Sequence, residues 1–330
     1  MIRTSPSNVR LLRQAMTPRH GVLRMKGTIS RESQRARRSY LNVPSTDKRK
    51  LEESLRSYSD VIVYNLQEGV TNPNGKRARE NLHKFLSIPR SPGQISLPKP
   101  GRVAVKISPA RSPDFIEDVK ILEHEGRISC VVLSNITSVN DFEMAVRAIW
   151  EHVRTGQIRL IASIECAYGV KNIREILAFC HKNRDYFDFS SILFEADNYR
   201  YNGSKIRAPC KLELDYARTK IVLLARKYGV EAIDMASSVN ISQRQLWLEC
   251  LQAQILGFSG KQARNLIQAD VIDRTYMRYS RGYNSGANNE KQKCPSEHDH
   301  SKDSGCVFAV WSLEEYLNRD QDRHQRSYEV

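Results

Sequence analysis

The chain has 330 residues, 40% of them hydrophobic, which is enough for one large core or two medium ones. It contains no run of about 18 apolar residues, which excludes a membrane-spanning helix. A net charge of +15 permits contact with RNA, a ribosomal surface, DNA or anionic lipid, but does not require it, because much of the charge lies at the chain ends.

The first 31 residues carry seven Lys/Arg and no Asp or Glu, and "VRLLRQAM" within them fits a short basic amphipathic helix. That is the pattern of a mitochondrial transit peptide, assigned to 1–36, and it predicts a matrix location. The competing reading is a basic arm for nucleic acid. Without those seven charges the chain keeps a net charge near +8. Seven Cys occur with no C-x-x-C among them, which fits a reducing compartment.

From residue 38 onward, short apolar runs at 38–45, 60–67, 102–108, 129–135, 158–165, 190–197, 231–238 and 255–262 predict eight strands. Helix-like segments lie between them. "TDKRKLEESLRSY" starts with Thr46 as N-cap. "SVNDFEMAVRAIWEHV" sets Phe142, Met144, Ala145, Ile149 and Trp150 on one stripe. "ELDYARTKIVLLARKYG" ends on Gly229 as C-cap, and "SQRQLWLECLQAQILG" leads into the last strand. Alternating strands and helices imply a parallel sheet, and a count of eight implies a closed (β/α)8 TIM barrel over 37–277. No G-x-G-x-x-G follows the first strand, which argues against dinucleotide binding. The polar Gly/Asn/Ser-rich stretch 278–305 predicts a disordered linker, and 306–330 a short C-terminal helix and tail.

Barrel active sites lie at the C-terminal strand ends. The candidates there are Ser45, Gln67, Glu68, Lys106, Ser134, Asn135, Glu165, Asp197, Asn198, Asp234, Lys261 and Gln262. Glu165 stands out, because "RLIASIE" ends a core strand on a carboxylate that needs a partner if it is buried. Lys106 with carboxylates at 165 and 197 is a set able to hold a divalent ion and an anionic substrate. The alternative is ordinary polar capping of the barrel mouth. Cys294, His298, His300 and Cys306 are four potential Zn²⁺ ligands whose spacing matches no common finger, so a polar linker with incidental Cys and His is the preferred reading. Cys166, with no His in any motif nearby, reads as a buried thiol at a helix start.

The blocks "RRSYLNVPSTD", "NLQEGV", "GKRAREN", "IECAYGVKN", "DYARTKIVLLARKYGVEAID" and "GFSGKQ" resemble the citrate lyase β-subunit family of the HpcH/HpaI aldolase superfamily, across about 37–270. The resemblance implies a trimeric, Mg²⁺-dependent barrel that cleaves or forms the carbon–carbon bond of acyl-CoA thioesters of the citryl, malyl or citramalyl type, with small organic acids as partners. It implies catalytic roles for Lys106, Glu68 and Glu315, substrate contacts from Lys106, Glu165 and Gln268, and metal ligation by Glu165 with Asn198 or Asp197.

The match is uneven at the strand ends. Lys106 replaces the family's carboxylate-clamping Arg, and Asn198 replaces a metal-binding Asp. Gln67-Glu68-Gly69-Val70 stands for Glu-Asp-Gly-Val, Ser134-Asn135 for Pro-Lys, and Asn265-Leu266 for His-Pro. Asn brings no charge to Mg²⁺, and Asp197, one residue earlier, reaches it only if the strand end kinks. Lys grips no carboxylate bidentately as Arg does. Two functions therefore stand side by side: an acyl-CoA lyase with altered activity, and a catalytically inactive barrel kept as a binding or assembly scaffold in a mitochondrial complex.

Overall fold

The computed structural model describes residues 37–67, 74–87, 95–124, 126–153, 158–197, 199 and 212–285. The expected transit peptide, Glu68, Asn198, Glu315 and the Cys/His stretch from Cys294 to Cys306 lie outside these residues. The chain divides into a compact unit through Met277 and a second unit, Arg278–Val330, of which only the helical backbone up to Ser285 is described.

The first unit alternates strand and helix throughout. The strands are β1 (Ser39–Pro44), β2 (Val61–Asn65), β3 (Val103–Ile107), β4 (Cys130–Leu133), β5 (Arg159–Ile164), β6 (Asp188–Phe194), β7 (Glu231–Asp234) and β8 (Gly260–Ala263). The helices are α1 (Lys48–Ser54), α2 (Gly75–Ser87), α3 (Phe115–His124), α4 (Val139–His152), α5 (Ala167–Lys182), α6 (Leu212–Tyr228), α7 (Gln243–Leu256) and α8 (Leu266–Ser285). All strands pair in parallel in sequence order, and β8 returns to β1, closing the predicted (β/α)8 barrel.

Alternation along each strand separates two cores. Tyr40, Val61, Val63, Ala104, Cys130, Val132, Ile161, Leu193 and Ile233 form one cluster, the barrel interior. The alternate positions, such as Leu41, Ile62, Val105 and Leu160, pack with the helices. Strands such as β2, β3 and β4 therefore read as near-continuous apolar runs because both faces are buried, whereas β8 (Gly-Lys-Gln-Ala) buries polar side chains instead.

Several expected boundaries shift for local reasons. Asp47, not Thr46, caps α1, accepting from the backbone N–H groups of Arg49 and Lys50. Ile255 and Leu256, expected in the last strand, finish α7, whose C-cap Gly257 adopts φ 110°, a left-handed conformation that glycine reaches without Cβ strain. Gly229 ends α6 in the same way at φ 68°, as predicted. The sixth strand stops at Phe194, not at 197, because the chain turns into a short helical segment there. Met144 lies off the buried stripe of α4 and is exposed, while Phe142, Ala145 and Ile149 are buried. The helix α8 runs to Ser285, into the segment expected as linker, since propagating a formed helix adds a hydrogen bond for each residue ordered.

On α8, Asp273 is buried with one carboxylate oxygen lacking a hydrogen-bond partner, and burial pushes its pKa up to about 6. A raised carboxylate pKa contributes stability that is complete below the unfolded value near 3.8 and lost as pH rises through about 6. Asp273→Asn should therefore flatten the dependence of the urea midpoint on pH between about 4 and 6. A profile identical to wild type would contradict this.

Candidate functional site

The inward parity of three neighbouring strands builds the site. Lys106 shares its face of β3 with Ala104, an interior residue. Glu165 follows Ile164 on the parity of Ile161 and Ser163, and Glu195 follows Phe194 on the parity of Leu193. The backbone N–H of Glu195 donates to the Ile164 carbonyl at 3.0 Å, so the ladder extends one residue past β6 and fixes Glu195 beside the end of β5.

The Lys106 ammonium lies 3.1 Å from Glu165 Oε1 and 3.5 Å from Glu195 Oε2, and all three side chains are buried. The Ser163 hydroxyl donates to Glu165 Oε1 at 2.8 Å. Glu165 thus has its partner, and the partner is a lysine. Burial alone would lower the Lys106 pKa, but the two carboxylates more than offset this and raise it, so the amine stays charged. Burial and the nearby Glu165 push the Glu195 carboxyl up, against the pull of Lys106. A charged, carboxylate-held amine is a poor nucleophile, and a carboxylate arriving at it meets two acidic groups already there.

The remaining sequence candidates separate into different environments. Asp197 is exposed and paired with the Arg264 guanidinium. It sits in the helical turn after β6, so strand alternation does not govern where it points. Asp234 faces away from the interior residue Ile233, is fully buried, and takes two bonds of 3.1 Å from Arg218 on α6 and one of 2.9 Å from Lys261 on β8. Asp234 and Lys261 are therefore parts of a structural ion cluster between barrel and helices, not mouth residues. The Gln262 amide donates to the Phe194 carbonyl at 3.0 Å, bracing the barrel interior. Gln268, expected at the substrate, accepts from the Arg264 backbone N–H and donates to the Ser238 carbonyl, which holds the loop after β7. The Ser134 hydroxyl donates to the Ile107 carbonyl. Cys166 is the buried N-cap residue of α5, in keeping with a packed thiol, and two residues into that helix a Cβ on Gly169 would meet the Ile136 carbonyl oxygen at 2.8 Å. That close approach seats the start of α5 against the end of β4.

Sequence reasoning missed Glu195. The available signal was the repeat of one pattern: "SILFE" ends an apolar run on Glu just as "IASIE" does. Side-chain oxygens of Ser45, Ser108 and Asn135, after β1, β3 and β4, are buried without a protein hydrogen-bond partner, so the mouth keeps polar atoms that water or a ligand can satisfy. Asn135 also holds φ 48°, a left-handed conformation that Asn tolerates better than most residues.

Mg²⁺ requires several hard oxygen ligands in near-octahedral array. Among the described residues, no three His, Cys, Asp or Glu side chains converge to hold a metal. Glu165 and Glu195 face an ammonium, and Asp197 is drawn to Arg264. The described residues therefore do not fit the metal that the resemblance implied.

The profile of the HpcH/HpaI aldolase/citrate lyase family matches residues 38–266. A citrate lyase subunit beta-like protein of Deinococcus radiodurans is 25% identical over 224 residues, covering 68% of this chain and 74% of the relative. The mitochondrial citramalyl-CoA lyase of Homo sapiens is 23% identical over 247 residues, covering 73% and 71%. Among solved structures, protein CitE from Mycobacterium tuberculosis in complex with magnesium, acetoacetate and coenzyme A superposes with a TM-score of 0.61 at 19% identity, over 84% of this chain and 97% of that one. With the barrel closed and the profile spanning most of the chain, this protein belongs to the HpcH/HpaI aldolase/citrate lyase family.

Proposed function

We propose that this chain is a member of the CoA-substrate lyase family that no longer performs magnesium-dependent cleavage, its barrel serving as a binding or assembly scaffold in mitochondria. The observation that carries the reading is the Lys106 ammonium seated between Glu165 and Glu195. In that arrangement neither carboxylate is free for a metal, and the cation that stands for the substrate clamp is already neutralised. The acid-free basic stretch 1–31 and the mitochondrial human relative support the location. A homotrimer, as the resemblance implies, is part of the same proposal.

Retention of Glu165, together with unpartnered polar atoms at the mouth, favours a second reading: a carbon–carbon lyase acting on a citryl-, malyl- or citramalyl-CoA thioester. That reading requires Mg²⁺ to displace the Lys106 ammonium. The two are separated by incubating the purified chain with each thioester and Mg²⁺ and following release of the acetyl-CoA or short-acid product. No cleavage above the uncatalysed rate is expected. Turnover that rises with Mg²⁺ and is abolished by Glu165→Gln would establish the lyase instead. Under the scaffold reading, affinity capture from mitochondria recovers a partner in stoichiometric amount.

A further inference from the structure

Three large aromatic side chains stand in solvent on consecutive helices: Tyr168 on α5 at 70% exposure, Tyr216 on α6 at 69% and Trp247 on α7 at 38%. Each lies near the start of its helix. All strands are parallel, so the helices that follow them run parallel to one another, and the three rings share the end of the helical layer nearest the barrel mouth. Lys220 Nζ donates to the Lys171 carbonyl at 3.4 Å, and the His181 and Tyr228 rings are 5.9 Å apart, which sets α5 and α6 side by side along their length. The Arg226 guanidinium lies over Gly257, at the end of α7, which places α7 next in the row. The rings therefore recur at steps of about 10 Å, one helix to the next. We propose that this rim binds single-stranded nucleic acid, with bases stacking on Tyr168, Tyr216 and Trp247 and phosphates pairing with the cations between and below them. The proposal goes beyond the scaffold reading by naming a partner, on a surface outside the mouth.

Charge selects the partner. The outer faces of α5 and α6 carry Lys171, Arg174, Lys182, Lys220, Arg226 and Lys227, none of them ion-paired with a carboxylate among the described residues. Against them stand Glu175 and Asp215, and Asp215 faces Arg218 at 3.7 Å. Lys220 Nζ also lies 5.7 Å from the centroid of the Tyr216 ring, so a cation and a stacking face are held together, and an ammonium with three N–H groups keeps donors for a phosphate. The surface is therefore anion-seeking, and it presents flat rings that are sequence-tolerant partners for bases. Other occupants fit less well. A bilayer needs a continuous apolar face, but beyond Tyr168 the exposed side of α5 is Lys171, Arg174, Glu175, His181 and Lys182, and Leu223 on α6 is followed within one turn by Arg226 and Lys227. The core of a protein–protein interface is depleted in lysine. A single strand uses both features at once, which is how such strands are held where a basic groove is combined with aromatic side chains.

The test titrates the full chain into fluorescein-labelled oligouridylate and oligothymidylate of about 12 nucleotides, and into a duplex of equal length, following anisotropy between 50 and 200 mM salt. The basic first 31 residues add phosphate contacts common to every variant, so ratios between variants are read. Tyr168→Ala with Tyr216→Ala should weaken single-strand binding about tenfold or more, whereas Tyr168→Phe with Tyr216→Phe should keep it, because stacking needs only the ring. Lys171→Gln and Lys220→Gln should each lower the slope of log affinity against log salt by about 0.7, and Lys84→Gln, exposed on α2, should leave it unchanged. The strand should quench tryptophan emission in wild type and not in Trp247→Phe. Melting midpoints confirm that each variant is folded. No binding at 50 mM salt overturns the proposal. So do affinity unmoved by the double Ala variant, a duplex bound as tightly as the single strand, and quenching that persists in Trp247→Phe. Loss of phosphatidylserine-vesicle binding in the double Ala variant, or a change in its sedimentation mass, with oligonucleotide affinity intact, assigns the surface to a membrane or to a second copy and overturns it as well. Thioester cleavage is read separately and bears on the scaffold reading alone.

Discussion

Replacing Lys106 with Met is expected to lower the unfolding free energy by about 3–5 kcal/mol at neutral pH, as when one partner of a buried ion pair is removed. The substitution leaves Glu165 and Glu195 buried beside each other without their cation. Met is close to Lys in volume, so little of the loss comes from a cavity. Loss of the ammonium favours proton uptake by the buried carboxylates, so their pKa values in the variant rise above the unfolded ones. Raised carboxylate pKa values confer stability at low pH that is lost as pH rises through them. The deficit should therefore shrink as pH falls toward 5 and be full at pH 8. In wild type the sign is opposite in origin. The raised Lys106 pKa contributes stability below the ordinary lysine value of 10.5, and loses it only in the alkaline range above. Urea titrations of both proteins at pH 5 and 8 check this. A deficit that does not change with pH would mean that the pair carries no such charge coupling.

The second large effect is expected from Asp234→Ala. Asp234 accepts from Arg218 and Lys261, and Lys261 is itself fully buried, 3.8 Å from Glu249. Removing the carboxylate strips two buried cations of their main partner, again a loss of about 3–5 kcal/mol. Lys261→Met should cost less, because Arg218 still holds Asp234 through two bonds. Burial would raise the Asp234 pKa, but Lys261 and Arg218 outweigh it and hold it below the usual carboxylate range. A depressed pKa gives stability that is present above the unfolded value, near 3.9, and is lost as pH falls through the folded one. Asp234→Ala should accordingly lack part of the acid-unfolding transition of wild type. Denaturant midpoints from pH 7 down to 3 make the comparison, and equal losses for Asp234→Ala and Lys261→Met would show that Arg218 contributes nothing.

Much of the barrel was legible because its signals are local. Strands such as β2, β3 and β4 are apolar runs buried on both faces, helices such as α2 and α4 carry a clear apolar period, and Gly229 stops α6 where left-handed backbone is needed. Boundaries failed where a cap competes with a run: "QILGF" is apolar enough for strand, yet Gly257 in a left-handed conformation keeps Ile255 and Leu256 in α7. The site was legible only in part. Glu165 and Lys106 were visible as strand-end residues, whereas Glu195 was passed over because the sixth strand was carried on to Asp197.

By itself, then, the sequence determined the alternation of strands and helices, the family, and the presence of a lysine and glutamates near the strand ends. These follow from periodicity and residue type, which need no knowledge of distant neighbours. Only the tertiary structure decided which charges meet. Closing the barrel set β3, β5 and β6 so that Lys106 faces Glu165 and Glu195, turned Asp234 and Lys261 outward toward α6, and left Asp197 to Arg264. An ion pair is set by the positions of residues far apart in the chain, and those positions exist only once the sheet has closed.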